Sequence, residues 1–362
     1  MIQFPFVKTG LYCLCLIVAI TCRAQDTAIV STLSDSSNRP KNVWIEKMDK
    51  YVTLKFTQST NEDGLSVFTD QGDILLTTNS KSTSKISVNY SFITLSLKFV
   101  PKFLPGNDDD NIKGSSKSGG LDLNFNFRHW QQFLSYTRTQ GYYLQNTSDH
   151  VPGWKEGDPY IQFPDLVYKS FEGATAYSFN SKFSFNALTS QSERQLKSAG
   201  SFIPGLMYKY YIVDDRSALQ PGGSRQKSHN FQMILGAGYY HTFVVKRSFY
   251  FSLGATPGIG FVHSNIFTTT ESDVTKSKQL NSVVRLDART GIGYNGNRFF
   301  SGLYMTVFSS AEQEQHTTVI SGESGVLFQL FVGYRLKAPK FLREKERQMN
   351  EKMNEALKKI KR

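Results

Sequence analysis

The sequence predicts an all-β fold, an antiparallel transmembrane β-barrel of about twelve strands (ten or fourteen being the alternatives), with a short C-terminal helical tail. Three observations support this prediction. Apolar and polar residues alternate with period two over long runs, and 14% of the residues are aromatic in a chain that is hydrophilic on average. After the first 24 residues, no segment approaches the roughly 18 uninterrupted apolar residues of a transmembrane helix. Many aromatic residues in a hydrophilic chain suit strands with one face toward lipid and the other toward water.

The first 24 residues are expected to be a secretory signal peptide. Lys8 supplies a positive charge, Leu11–Ile20 is an apolar run too short to span a bilayer with margin, and Ala24 ends a plausible cleavage site. A lipoprotein anchored at Cys22 is the alternative. All three cysteines lie in this segment, so the mature chain is expected to contain no disulfide and no Cys-ligated metal.

Period-two alternation defines the individual strands. Near the C-terminus, apolar side chains from Val326 to Leu336 alternate with a second set that ends at Arg335, and the run is long enough to cross a membrane at a tilt. Residues 173–188 keep one phase throughout, so they are predicted to form a single strand. The predicted strands are 50–66, 84–91, 93–100, 120–128, 131–144, 173–188, 200–212, 230–244, 248–262, 279–294, 298–309 and 323–336. Their number is even, as a bacterial single-chain barrel requires.

The connections between the predicted strands alternate in length. Long loops are expected outside the cell and short turns in the periplasm, which places both termini in the periplasm of an outer-membrane protein. The long segments are 67–83, 101–119, 145–172, 213–229, 264–278 and 310–322, and the short turns lie near 91–92, 129–130, 245–247 and 295–297. The connection 189–199 is an exception, because it is longer than the other periplasmic turns.

The chain is predicted to have four parts. A signal peptide (1–24) precedes a periplasmic lead-in (25–49), an outer-membrane barrel (50–338) and a basic tail (339–362). In the tail, apolar residues recur near helical spacing among Lys, Arg and Glu, which predicts an amphipathic helix in the periplasm. This helix is expected either to remain solvated or to contact anionic lipid headgroups, peptidoglycan or a periplasmic partner.

The charge pattern directs attention to the barrel interior. The net charge of +12 is concentrated in the tail, so nucleic acid is not an expected partner. An Arg or Lys facing lipid at mid-depth would cost about 2–4 kcal/mol, so the charged faces of the strands should line the lumen. The predicted lumen charge cluster is Arg285, Asp287, Arg289, Lys182, Lys209, Asp122, Arg128 and Arg335, with Lys55, Lys85 and Lys98 in the same inward set. Two interpretations stay open: a salt-bridge network that fills a narrow barrel, or a constriction that favours anions.

No catalytic motif is recognisable in the sequence. The six histidines fall mainly in loops and at strand ends, without metal-ligand spacing, so no catalytic residue, metal or cofactor is predicted. The expected function is a non-enzymatic channel or structural barrel with a basic lumen and weak anion preference, with outer-membrane lipid and small anions as partners. The alternatives are a lipid-acting outer-membrane enzyme, and a binding or scaffold barrel that uses its outer loops or its basic tail.

Three stretches of the sequence carry a resemblance to a known family. They are residues 99–106 (FVPKFLPG), 192–202 (SERQLKSAGSF) and 333–342 (GYRLKAPKFL). Together with the leader, they resemble an uncharacterised family of Bacteroidota outer-membrane proteins, the domain-of-unknown-function family numbered 4421, from about Trp44 to Leu342. The resemblance implies an outer-membrane barrel without an assigned activity, so it transfers no catalytic residue to this chain.

Overall fold

Twelve long antiparallel strands close into a single ring, in which each barrel strand pairs with the next one along the chain and the last pairs with the first. This arrangement confirms the predicted antiparallel barrel of twelve strands. The computed structural model describes residues 44–60, 64–67, 73–127, 129–312, 319–321, 324–345 and 348. The expected signal peptide and most of the expected lead-in lie outside these residues. Within the described ranges, no helix is both long and apolar enough to cross a membrane.

The strands are numbered along the chain. They are β1 (Ile45–Lys47), β2 (Tyr51–Thr60), β3 (Gly64–Val67), β4 (Ile74–Thr77), β5 (Ser82–Tyr90), β6 (Ile93–Phe99), β7 (Lys117–Asn126), β8 (Trp130–Leu144), β9 (Gln162–Tyr177), β10 (Glu193–Gln195), β11 (Ala199–Asp215), β12 (Arg225–Val245), β13 (Phe249–Thr269), β14 (Val274–Asn295), β15 (Phe299–Glu312), β16 (Val319–Ser321) and β17 (Ser324–Lys337). The ring consists of β2, β5 to β9, β11 to β15 and β17.

Helices are few and short. In the connections between strands lie α1 (Asp110–Lys113) and α2 (Thr147–His150). After the barrel, residues 340–345 are helical, which confirms a small C-terminal helix. The rest of the predicted tail, apart from residue 348, lies outside the described residues.

The polarity of the two faces of the sheet is reversed relative to a water-soluble protein. Along β17, the large apolar side chains at even positions from Val326 to Leu336 are 42% to 62% exposed, whereas Phe331 and Arg335 at odd positions are 3% and 0% exposed. Exposed apolar side chains recur on the other barrel strands, and many buried side chains are Ser, Thr or Asn. An apolar outer surface around a polar interior is the pattern of a transmembrane barrel.

The two ends of the barrel differ in their connections. At one end, named here the turn end, β5 joins β6 through residues 91–92 and β12 joins β13 through residues 246–248, as the sequence predicted. The start of β2 and the end of β17 also lie at the turn end, where Tyr51 pairs with Lys337. At the opposite end, named the loop end, connections such as 100–116 and 145–161 are longer.

The strand predicted over residues 173–188 is wrong in its position. The strand β9 begins at Gln162, inside a predicted loop, and ends at Tyr177. Beyond Tyr177 the chain leaves the wall of the barrel, but Phe183 is buried and Phe185 is partly buried among other apolar side chains. The apolar alternation therefore continues past the end of the strand, and hydropathy alone gives no sign of the boundary.

Three strands are longer than the sequence predicted. The strands β12, β13 and β14 have 21, 21 and 22 residues. They include residues 225–229 of the predicted loop 213–229 and most of the predicted loop 264–278. Only residues 270–273 connect β13 to β14. Near the loop end these strands carry polar residues on both faces, so alternation of hydropathy does not reveal their continuation.

Residues 178–198, named here the plug, fill the turn end of the barrel. Within the plug, β10 forms a two-stranded antiparallel sheet with β1, which precedes the barrel. The plug residues Phe183 and Leu188 belong to one buried apolar cluster with Tyr250, Phe300 and Phe331 from the barrel wall. The plug thus buries its apolar side chains against inward-facing aromatic rings.

The loop end is covered by a second insertion, named here the cap, which consists of β3, β4 and β16. The hairpin of β3 and β4 pairs with β16 on one side and with the end of β8 on the other. Leu65 and Leu76 of the cap pack in a buried apolar cluster with Tyr142, Tyr168 and Tyr211 of the wall. Both ends of the lumen are therefore occupied by folded segments of the chain.

Aromatic rings inside the barrel lie close to glycines of neighbouring strands. Phe300 is 0% exposed, and a Cβ atom added to Gly333 would lie 2.1 Å from its Cζ. A Cβ atom added to Gly291 would likewise lie 2.1 Å from the ring of Tyr304. These glycines leave room for large rings in a narrow interior.

We expect Gly333→Ala to lower the free energy of unfolding by about 1–3 kcal/mol. The new methyl group would lie 2.1 Å from the buried Phe300 ring and 2.5 Å from the Leu54 carbonyl oxygen. Urea unfolding in detergent, followed by tryptophan fluorescence, measures the change. Gly119→Ala is the matched control, since its Cβ would contact only the Lys98 carbonyl oxygen, at 3.5 Å. Equal unfolding midpoints for the two variants would contradict this packing.

Candidate functional site

Charged side chains are concentrated in the lumen. Seven described cations point inward: Lys55, Lys85, Lys98, Lys209, Arg285, Arg289 and Arg335. They face three described carboxylates: Asp122, Glu172 and Asp287. Six residues of the predicted lumen cluster are in this set, namely Arg285, Asp287, Arg289, Lys209, Asp122 and Arg335. The described lumen therefore has an excess of positive charge.

Two predicted residues are absent from this set. Lys182 lies in the plug, where its side chain is exposed and its Nζ atom is 4.9 Å from the centroid of the Trp44 ring. The prediction that Lys182 lines the barrel wall is wrong, because β9 ends at Tyr177 and the chain then leaves the wall. Arg128 lies outside the described residues.

Asp122 on β7 is the most buried carboxylate of the lumen. Its side chain is 2% exposed and lies 3.1 Å from Lys98 Nζ and 3.4 Å from Lys85 Nζ. The Ser135 hydroxyl donates a further hydrogen bond of 2.7 Å to its Oδ1 atom. One carboxylate therefore neutralises part of the charge of two lysines on neighbouring strands.

Lys209 on β11 faces Glu172 on β9. The Nζ atom of Lys209 lies 3.4 Å from Glu172 Oε1 and 5.2 Å from the centroid of the Tyr211 ring. Glu172 is a lumen residue that the sequence analysis missed, because the segment 145–172 was predicted to be a loop. Its cross-strand pairing with Lys209 would have been visible only with the correct start of β9.

The three charged residues of β14 that face the lumen do not form one network. Arg285 makes a two-pronged ion pair with Asp287, with both N–O distances 2.8 Å. Arg289 instead stacks on the ring of Tyr304, with its Cζ atom 4.1 Å from the ring centroid. The Nε atom of Arg289 is buried and has no hydrogen-bond partner among the described residues. Arg289 is thus a cation without a carboxylate partner in the described lumen.

Arg335 and Lys55 hold the plug. Arg335 donates hydrogen bonds to the Gln191 carbonyl oxygen, at 2.6 Å from Nη2, and to the Asn295 side-chain oxygen. The Nζ atom of Lys55 donates to the Thr189 carbonyl oxygen and, at 3.0 Å, to Gln191 Oε1. Arg335 is 0% exposed, so plug and turn oxygens replace water as the hydrogen-bond acceptors of its guanidinium.

Two adjoining cavities remain inside the barrel. The cap-side cavity, of about 400 Å³, is lined by Lys98, Lys209 and Arg285. The plug-side cavity, of about 370 Å³, is lined by Lys55, Lys85 and Arg289. Both cavities contact Phe133 and Ala174. Six cations are therefore distributed along the two cavities.

An acidic segment at the loop end is held by lysines. The Lys113 Nζ atom donates a 2.6 Å hydrogen bond to Asp109, which keeps the pKa of the Asp109 carboxyl below its usual value. Asp110 makes an ion pair of 2.6 Å with Lys102. Among the described residues, no group of three His, Cys, Asp or Glu side chains is placed to hold a metal ion.

We expect Asp122→Asn to lower the free energy of unfolding by about 3 kcal/mol, because Lys85 and Lys98 would lose their common counter-charge. Urea unfolding of the detergent-solubilised barrel measures the change. The matched control is Asp110→Asn, which removes an exposed ion pair worth less than about 1 kcal/mol. A loss no larger than that of the control would show that Asp122 is dispensable for the lumen network.

Comparison with solved structures finds barrels of outer membranes at low identity. The outer membrane protease OmpT from Escherichia coli is 9% identical, with a TM-score of 0.35 over 80% of this chain and 98% of that chain. The beta domain of the Bordetella autotransporter BrkA is 11% identical, with a TM-score of 0.37 over 80% of this chain and 100% of that one. The COG4313 outer membrane channel from Pseudomonas putida F1 is 10% identical, with a TM-score of 0.32 over 83% of this chain and 100% of that chain. Similarities of this size carry no argument about activity.

Comparison by sequence gives the family. No curated protein matches the chain with significance. Residues 34–336 match the family described as Domain of unknown function (DUF4421), which covers the whole barrel up to the last residues of β17. The chain is a member of this DUF4421 family.

Proposed function

We propose that this protein is a non-enzymatic, weakly anion-selective channel of the outer membrane, closed in the described conformation by its plug and cap. The observation that supports the proposal is the distribution of cations. Three line the cap-side cavity and three line the plug-side cavity. A small anion passing between the two ends would meet positive charge along the whole path.

The charge balance favours anions over cations. Within the described residues, Lys55 and Arg289 make no ion pair with a carboxylate, and Asp122 is shared between two lysines. The interior of a narrow barrel screens charge less than bulk water does, so unpaired cations there act more strongly on a permeating ion. Hydroxyl and amide side chains such as Ser87, Ser96 and Asn124 line the same plug-side cavity and can replace part of the hydration shell of an ion.

The plug contacts suit a closure that can open. Arg335 and Lys55 hold the plug through carbonyl and amide oxygens, without a plug carboxylate. Water or an incoming anion can take over these hydrogen bonds when the plug moves, because both cations are strong donors. In the proposed orientation the turn end, both termini and the plug face the periplasm.

The contacts of two described histidines favour a non-enzymatic role. His129 Nδ1 lies 2.6 Å from the Ser178 carbonyl oxygen, and His229 Nδ1 lies 2.7 Å from the Tyr210 hydroxyl. Neither has the carboxylate partner that usually orients a catalytic histidine.

In planar lipid bilayers, we expect the wild-type protein to conduct poorly and the double variant Lys55→Met/Arg335→Met to conduct severalfold more, because the plug loses both of its cationic anchors. The double variant Lys98→Met/Lys209→Met is the control, since it removes two lumen cations that do not touch the plug.

A second variant keeps this test decisive if the first one folds poorly. Replacing plug residues 182–197 and cap residues 64–77 with short Gly-Ser linkers gives a plug-deleted barrel in which both obstructions are removed and Arg335 is not left in an apolar environment. If this folded, plug-deleted barrel also conducts no ions, the channel proposal is wrong and a structural barrel remains.

Ion selectivity provides a separate prediction. In the plug-deleted protein, a KCl gradient is expected to give a reversal potential that favours chloride. Adding Lys85→Gln and Arg289→Gln should shift this potential toward zero, because two of the three cations of the plug-side cavity are lost. A preference for potassium in the plug-deleted protein, before the cations are removed, would contradict a lumen that favours anions.

A further inference from the structure

The outer wall of the barrel carries a basic depression near the loop end. Its lining residues come from the outward faces of four adjacent strands, β11 to β14, and enclose about 370 Å³. They are Tyr210, His229, Phe231, His263, Asn265, Phe267, Lys276 and Lys278. We name this set the rim patch. It lies outside the lumen and takes no part in the proposed path for ions.

The rim patch lies where the apolar outer surface ends. Phe231, Phe261 and Leu280 are exposed apolar side chains of the outer belt. One step nearer the loop end, His229 pairs with Asn265 and Asn265 with Lys278 across the sheet. This change from apolar to polar and basic side chains marks the level of lipid headgroups on a barrel wall.

The charge of the rim patch is positive. Lys276 and Lys278 make no ion pair with a carboxylate among the described residues. The Nζ atom of Lys276 instead lies 5.1 Å from the centroid of the Phe267 ring. Asp214, an acidic residue of the neighbouring strand β11, is already paired with Arg216 and Lys227. The two lysines are therefore available to an anionic group.

The other side chains of the patch suit a sugar. His229 lies 2.7 Å from the Tyr210 hydroxyl through Nδ1 and packs edge-on against the ring of Phe267. Asn265 contributes an amide that can both donate and accept hydrogen bonds. The aromatic rings can contact the apolar face of a pyranose ring, and the His and Asn side chains can form hydrogen bonds with its hydroxyl groups.

We propose that the rim patch binds the phosphorylated sugar headgroup of an outer-leaflet glycolipid. Lys276 and Lys278 contact the phosphate, and Asn265 and His229 contact the sugar. A basic patch beside lipid attracts an anionic headgroup. The strands β12, β13 and β14 continue past the patch to Arg225, Thr269 and Val274, so the wall is tall enough for a headgroup larger than that of a phospholipid.

Lipid binding by the detergent-solubilised full-length protein tests this site. The probes are phosphorylated lipid A, the same lipid A after removal of its phosphates, and phosphatidylglycerol, with bound lipid measured by native mass spectrometry. The variant is Lys276→Gln/Lys278→Gln. The matched control is Lys117→Gln/Arg138→Gln, which removes two exposed cations from β7 and β8, strands that are not adjacent to the patch.

We expect the wild-type and control proteins to bind phosphorylated lipid A about tenfold or more tightly than the variant does. Dephosphorylated lipid A and phosphatidylglycerol should bind the wild type weakly. Their affinity should be similar to that of phosphorylated lipid A for the variant. Unchanged affinity in the variant, or equal binding of dephosphorylated lipid A, would overturn the proposal. Equally tight binding of phosphatidylglycerol would overturn the assignment to a glycolipid.

Discussion

The pairing of β17 with β2 is the interaction on which the rest of the structure depends. Nine residues of β17, from Gln329 to Lys337, pair with residues 51–59 and convert a twisted sheet into a closed wall. In hydrocarbon, an open sheet edge would leave backbone N–H and C=O groups without partners, at several kcal/mol each. Closure therefore makes the membrane-crossing form possible, and it also divides every strand into an outer and an inner face.

The inner face follows from this division. Charged side chains that cannot face lipid are confined to a narrow lumen, where each needs a partner in place of water. Asp122, Glu172 and Asp287 form ion pairs with some of the cations. The ring of Tyr304 contacts Arg289, and plug oxygens accept hydrogen bonds from Arg335 and Lys55. The plug thus provides hydrogen-bond acceptors for two lumen cations as well as obstructing the lumen.

Much of the barrel wall could be predicted from the sequence. Lipid on one side of each strand and polar contacts on the other require apolar and polar residues to alternate with period two. The alternation from Val326 to Leu336 gave both the strand and the inward direction of Arg335, and the same pattern placed Arg285, Asp287 and Arg289 on one face. The fold and the inward face of these strands are local properties, which is why one sequence sufficed to predict them.

The sequence did not predict the segments in which the apolar residues alternate for a reason other than contact with lipid, or in which the alternation is unclear. Phe183 and Phe185 extend the apolar pattern beyond Tyr177 because they pack inside the barrel, so Lys182 was placed on the wall and the plug was missed. Glu172 was lost for the related reason that the start of β9 lies beyond the clear alternation. The contacts of Arg335 with Gln191 join residues far apart in sequence, and no local pattern reports such a pairing.

The orientation of side chains along β17 gives the most direct test of the central claim, that opposite faces of one closed wall meet lipid and lumen. Single cysteines can be placed at each position from 326 to 336 in a protein without residues 1–24, which contain all three native cysteines. Each variant can then be spin-labelled and reconstituted in vesicles. Collision with dissolved oxygen, which concentrates in the bilayer, is expected to be high at even positions and low at odd ones, with a minimum at position 335. Uniform oxygen accessibility along the strand, or alternation in the opposite phase, would contradict a barrel whose apolar face contacts the membrane.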